Sequence, residues 1–386
     1  MSAYLAVFAA AFGVTFVTTP FVRRYVTRAG AIYYPSDRTV HTTPRPTMGG
    51  LAMYLGFVAA LGLSRVLPYF SEVNAAGPEP VAALIACSLM VGLGVVDDTR
   101  GVRWLTKLTA QIFIAGALAL VLVFAYFWIP GQGIVVLSGD LPVILTIVWV
   151  VSVANAVNLV DGLDGLAAGM VAIAASVFFV YMVRSPSVYG DASQAALLSS
   201  ITVGICLGFL PWNFYPAKIF MGDTGSLLLG TLVAIATISG IGRNPVPPSG
   251  EDLAAVVGTV AVPLLVLAVP FLDVTLAVIR RTRRGQGIGQ ADKEHLHHRL
   301  IDIGHGHRQA VLLMYLWSAL LSLSGLAIGL IDTRFVVGLI LLGAVVLFLV
   351  TALPRFMERR TNGNGNGAHR ASRQRERTTR GGAPPT

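Results

Sequence analysis

Apolar residues run along the chain in long unbroken blocks separated by short polar segments, with none of the two-residue alternation of a half-buried strand. The blocks lie at 3–20, 48–67, 81–96, 107–129, 141–158, 165–183, 195–210, 225–241, 253–279, 310–329 and 335–353. Crossing a bilayer as a helix takes about 20 apolar residues, and most blocks have that length. Only helices and closed barrels satisfy their backbone in hydrocarbon, and continuous blocks select helices. The predicted fold is all-α: a polytopic integral membrane protein with about 11 transmembrane helices. Residues 1–353 form one multi-span domain. Residues 354–386, rich in Gly, Asn and Arg, form a disordered basic tail.

The polar segments set the orientation. Of the 28 Lys and Arg, 24 fall in alternate segments, namely 21–47, 97–107, 211–224, 280–309 and the tail. The other side holds only Arg65, Arg184, Arg243 and Arg334. The positive-inside rule then places the N-terminus outside and the C-terminus in the cytoplasm. No Lys or Arg precedes the first block, and Arg23 and Arg24 follow it, which is the charge order of a span and not of a secretory signal. Composition agrees: 12% of residues are charged, against roughly 25% in soluble domains. Cys87 and Cys206 both sit in apolar blocks and offer neither a disulfide framework nor a zinc spacing.

The segments assigned to the cytoplasmic face carry the chemistry. They hold "VVDDTRGVRWLTKLTAQ" (95–111), "NAVNLVDGLDGLAAG" (155–169), "WNFYPAKIFMGDTGS" (212–226) and "RRTRRGQGIGQADKEHLHHRL" (280–300). Acids stand in the first three: Asp97 and Asp98, then Asp161 and Asp164, then Asp223. Asp273 adds another about 10 Å inside the end of its span. Intramembrane acids are costly and usually serve function. Lys107 and Gln111 are four apart and share a helix face. His295, His298 and Arg299 share a face if their segment is helical, with His297 turned aside. Zinc is the rival reading for these histidines, but their spacing is not that of a zinc site and no cysteine is near. "MGDTGS" opens a span, so its free N–H groups and helix dipole form an expected anion site. Acids for a divalent cation, bases for phosphates and a helix N-terminus describe a site for a metal-bound diphosphate at the membrane surface. An ion-coupled transporter would instead place polar groups near mid-membrane, reached from both sides.

In this order and on one face, these stretches, with "GDTGSLLLG", "PFLDVTLAVIRR" and "DKEHLHHRL", resemble the polyprenyl-phosphate N-acetylhexosamine-1-phosphate transferases over most of residues 1–353. "HLHHRL" is similar to the bacterial N-acetylglucosamine branch, whereas the phospho-N-acetylmuramoyl-pentapeptide branch, the alternative, usually shows three consecutive histidines. The resemblance implies a bacterial inner-membrane enzyme with its active site on the cytoplasmic face. It would move GlcNAc-1-phosphate from UDP-GlcNAc to an undecaprenyl or decaprenyl phosphate, release UMP, and begin a cell-envelope polysaccharide. It implies Mg²⁺, or Mn²⁺ in its place, on Asn158 and Asp223. Asp97 or Asp98 would handle the lipid phosphate, and Asp161 and Asp164 would shape the nucleotide and metal site. Lys107, Asn155, Asp273, His295, His297, His298 and Arg299 would face the substrates. No nucleic-acid partner is expected, and a homodimer is left open.

Overall fold

The computed structural model describes residues 1–34, 44–75, 77–129, 133–184, 192–242, 305–328 and 338–351. The predicted span 253–279, the 280–300 segment and the tail therefore lie outside the described residues.

The described chain is a helical bundle. Its helices are α1 (Ser2–Arg28), α2 (Gly50–Val66), the short α3 (Ser71–Ala75), α4 (Glu79–Arg100), α5 (Trp104–Ala119), α6 (Leu141–Val160), α7 (Leu166–Arg184), α8 (Gln194–Asn213), α9 (Gly222–Thr237) and α10 (His307–Ile328). A final helix, α11, covers Gly338–Thr351. Among the described residues, 6 helices are long and apolar enough to cross a membrane, and α2 with the bent segment after it would make 7. Among the described residues, each predicted span other than 253–279 overlaps a helix, though not always over its full length.

One predicted span ends early. The apolar block 107–129 gives a helix only as far as Ala119. Beyond it, β1 (Tyr126–Ile129) pairs antiparallel with β2 (Gly133–Val136), in the register Tyr126↔Val136. The residues are as apolar as a span. However, "YFWI" and "IVV" favour an extended backbone, and Pro130-Gly131 punctuates them as a hairpin would need. A second, two-residue pairing joins Ile32–Tyr33 to Arg45–Pro46.

α9 is the most buried candidate span, with α7 and α8 next. It packs through small residues. A Cβ on Gly94 of α4 would lie 2.5 Å from Thr224 Cα, and one on Gly230 would lie 2.5 Å from Ala154 Cα of α6. A Cβ on Gly50 of α2 would collide with the Gly225 backbone. Lipid offers helices no hydrophobic reason to associate, so close backbone approach through glycine supplies the van der Waals contact that holds them. The N-terminal turn of α9 is thereby wedged between α2 and α4.

The approach to α9 is held as firmly. Phe220 N–H donates to Pro46 O at 2.9 Å, Gly49 N–H to Phe220 O at 2.9 Å and Gly50 N–H to Met221 O at 3.0 Å. The loop before Asp223 therefore runs along the segment entering α2.

Candidate active site

Five helix ends meet beside this loop: the C-termini of α4 and α6 and the N-termini of α5, α9 and α10. Asp98, in the last turn of α4, points its carboxylate at the start of α9. Its Oδ1 accepts from Asp223 N–H at 3.0 Å. Its Oδ2 accepts from Thr224 N–H at 3.0 Å and from the Thr224 hydroxyl at 2.6 Å. A carboxylate from another helix thus does the work of an N-cap, satisfying donors that the helix leaves open. This corrects the expectation of a free anion site at "MGDTGS". Two of its N–H groups already hold an anion, and the anion is Asp98.

Asp97, the neighbouring residue, points elsewhere, as successive positions about 100° apart on a helix must. It accepts from Val102 N–H at 2.7 Å and forms an ion pair with Lys107 Nζ at 2.9 Å. The same ammonium also bonds Asp223 Oδ2. Asp223 Oδ1 accepts from Asn158 Nδ2 at 2.6 Å, and that amide also donates to Ser226 Oγ at 2.9 Å. Asp223 is thus the hub of the cluster: Lys107 from α5 on one oxygen, Asn158 from α6 on the other.

Gln111, fully buried one turn deeper than Lys107, accepts from Asn155 Nδ2 at 2.6 Å. Asn155 also donates to Val151 O within its own helix. The pair ties α5 to α6 directly below the residues that carry Lys107 and Asn158. Asn155, expected on the substrate side, is here a helix-to-helix tie.

The turn between α6 and α7 carries the other two predicted acids. Asp164 is buried, and its Oδ2 accepts from Ala217 N–H at 2.8 Å. Gly165 N–H donates to Asn213 Oδ1 at 3.1 Å, and Asn213 in turn donates to Ile219 O at 3.1 Å. Asp164 and Asn213 therefore fasten the turn to the 214–221 loop. Partial removal from water, and then the charges of Asp223, Asp98 and Asp164, push the Asp161 carboxyl well above the usual carboxylate range. Among the described residues, four carboxyl groups (Asp97, Asp98, Asp161 and Asp223) share this region with the Lys107 ammonium.

Residues 80–241 match the model of glycosyl transferase family 4. Over 350 residues the chain is 39% identical to the decaprenyl-phosphate N-acetylglucosaminephosphotransferase of Mycobacterium tuberculosis (strain CDC 1551 / Oshkosh), covering 88% of this chain and 86% of that protein. The chain belongs to this transferase family. It is also 33% identical to the probable undecaprenyl-phosphate N-acetylglucosaminyl 1-phosphate transferase of Bacillus subtilis (strain 168), over 81% of each chain. Against the phospho-N-acetylmuramoyl-pentapeptide-transferase of Desulforudis audaxviator (strain MP104C), identity is 34% over 75% of this chain and 86% of the relative. The resemblance read from the motifs holds for family and branch.

Of the residues that the motifs single out in this transferase, the fold brings Asp97, Asp98, Lys107, Asn158 and Asp223 into one bonded cluster. Asp161 and Asp164 sit on the adjoining turn. Asp273, His295, His297, His298 and Arg299 lie outside the described residues. Sequence reading missed Thr224, Ser226 and Asn213 as partners. Ser226 was findable, because it stands three after Asp223 and so shares its helix face. Asn213 was not, because its partners lie on a different turn.

Gly222 starts α9 with φ of +72°, a conformation that costs an L-residue roughly 1–2 kcal/mol. A Cβ there would also lie 2.5 Å from Asp98 Oδ2 and 2.6 Å from Thr47 Oγ1. Gly222→Ala is expected to displace the Asp98 cap and lower turnover by about tenfold or more. Turnover per folded enzyme, with thermal unfolding alongside, tests this. Wild-type values of both would show that the start of α9 tolerates the side chain.

Proposed function

We propose that the protein transfers GlcNAc-1-phosphate from UDP-GlcNAc to a polyprenyl phosphate on the cytoplasmic face of a bacterial inner membrane. A phosphate oxygen of the lipid attacks the sugar-bearing phosphorus of UDP-GlcNAc. A new P–O bond forms, the bond to the UMP oxygen breaks, and UMP leaves. The product is polyprenyl-diphosphate-GlcNAc. The observation that carries this reading is the Lys107–Asp223–Asn158 constellation, bracketed by Asp97 and set where α9 begins. Phosphoryl transfer asks the protein chiefly for positioning and charge compensation, which such a constellation supplies. The relatives named for N-acetylglucosamine phosphotransfer cover most of the chain and support the donor and the acceptor class.

Mg²⁺ fits the donor set. Asp223 and Asn158 meet side by side where α6 ends and α9 begins, a sparse pair of one carboxylate and one amide. Mg²⁺ suits such a sparse set, taking one or two carboxylates and completing its shell with water and phosphate oxygens. Asp223 and Asn158 would hold it. Asn158 would turn its amide oxygen inward, and Lys107 would exchange Asp223 for substrate phosphate. Held there, Mg²⁺ would supply positive charge against the diphosphate.

The full reading has about 11 spans, with the N-terminus outside and the tail in the cytoplasm. Single cysteines placed in 97–106 or 212–222 should be modified by a membrane-impermeant thiol reagent only from the cytoplasmic side. Labelling from outside would reverse the orientation. The activity test is UMP release by purified protein given UDP-GlcNAc, polyprenyl phosphate and Mg²⁺. Release that needs all three supports the reading. Turnover of UDP-MurNAc-pentapeptide in preference to UDP-GlcNAc would move the protein to the other branch.

A further inference from the structure

The N-terminal end of α10 reaches into the site, although none of its residues belongs to the acid, amide and lysine cluster. His307 Nε2 accepts from Asp164 N–H at 3.2 Å. Its ring stacks on Tyr215, with centroids 4.4 Å apart and planes at 27°. The next residue, Arg308, donates from Nη2 to Tyr215 O at 3.2 Å and places its guanidinium 5.8 Å from the same ring. Just over two turns along α10, the Tyr315 hydroxyl donates to Gly165 O. One helix therefore grips the N–H of Asp164 and the C=O of the residue that follows, and holds Tyr215 on the opposing loop. Asp164 closes the triangle by accepting from Ala217 on that loop at 2.8 Å.

From this geometry we infer that His307 is a positioning residue for phosphotransfer, acting through the 161–165 turn and not on substrate; the inference rests on the function proposed above. The turn begins three residues after Asn158, whose amide is bonded to Asp223, and it carries Asp161 beside that cluster. An imidazole nitrogen can accept the Asp164 N–H only through its lone pair, so the acceptor, and not ring bulk alone, sets where the turn sits. Without it the Asp164 N–H loses this partner, and the turn, still tied to Asn213, Ala217 and Tyr315, relaxes by a fraction of an ångström relative to Asp223. Small displacements of positioning groups cost phosphotransfer rate far more than they cost ground-state binding.

Two variants separate acceptor from ring. His307→Phe keeps the stack on Tyr215 and removes the acceptor, and His307→Gln keeps an acceptor and removes the ring. In full-length detergent-solubilised enzyme, His307→Phe should lower kcat by about tenfold or more, with KM for UDP-GlcNAc moving by less than about threefold. His307→Gln should recover most of the rate. Hydrogen–deuterium exchange of the peptide spanning 161–166 gives a readout independent of activity. It should be slow in the wild type and in His307→Gln and at least about tenfold faster in His307→Phe. Wild-type kcat in His307→Phe, equal losses in both variants, or a change in KM alone overturns the inference. Should His307→Phe not fold, the wild type decides: exchange in 161–166 as slow as in the middle of α8 supports the inference, and fast exchange overturns it. A wild type that releases no UMP overturns the phosphotransfer reading instead and leaves exchange to judge His307.

Discussion

Asp223→Asn is expected to cut UMP release by about a thousandfold while the protein stays folded. The substitution keeps the side-chain shape and removes one charge from the hub of the cluster. Among the described residues Lys107 then keeps Asp97 as its one ion-pair partner, and Asn158 faces an amide in place of a carboxylate. The proposed cation loses its one carboxylate ligand. Folding should survive, because the start of α9 is capped by Asp98 through the backbone of Asp223 and Thr224, and that cap does not involve the Asp223 side chain. UMP release measured against Mg²⁺ concentration, together with the unfolding temperature, tests both halves. A wild-type rate with unchanged Mg²⁺ dependence would place the cation elsewhere, with Asp161 the next carboxylate to test.

The second large effect separates two adjacent acids. Asp98→Ala should lower both stability and turnover, whereas Asp97→Asn should lower turnover alone. Asp98 takes three hydrogen bonds from the first turn of α9, so its loss removes an N-cap worth about 2 kcal/mol or less and frees the turn that aims Asp223. A turnover loss of about a hundredfold is expected from that misplacement. Asp97 instead holds Lys107 and the Val102 N–H. Asp97→Asn keeps an acceptor for Val102 and weakens only the hold on the ammonium. Its unfolding temperature should match the wild type while kcat falls. Equal unfolding temperatures for Asp98→Ala and wild type would remove the capping role.

Most helices were legible because lipid makes one demand on a spanning segment, a sufficient run of apolar residues with its backbone bonds closed inside it. The block at 107–129 shows where that criterion stops discriminating. Length and polarity suit a span throughout, but the helix ends at Ala119 and a hairpin follows. Backbone preference and a turn decide there, and hydropathy carries neither. Within the site, Lys107 with Gln111 was legible as a face, since four-residue spacing survives into any helix, and Asn155 and Asn158, three apart, obey the same rule. In the fold these faces meet each other: Gln111 bonds Asn155, and Lys107 and Asn158 converge on Asp223.

Partnership across long separations was not legible. The glycine turn at 222 and the acid at 223 announce a helix start rich in free N–H groups, and an external anion is the natural guess. Whether those groups stay free depends on what lies opposite, and opposite is Asp98, 125 residues earlier in the chain. Gly94 brings α4 close enough for that carboxylate to reach, and Gly50 does the same for α2 on the other side. Spacing along a helix determines which side chains share a face, so the ingredients of a diphosphate site could be read residue by residue. Helix packing determines which face meets which, because a close approach depends on side-chain volume at both surfaces at once. That is why Asp98 caps a helix, Asp97 holds Lys107, and His307 grips a turn that nothing in its own neighbourhood foretells.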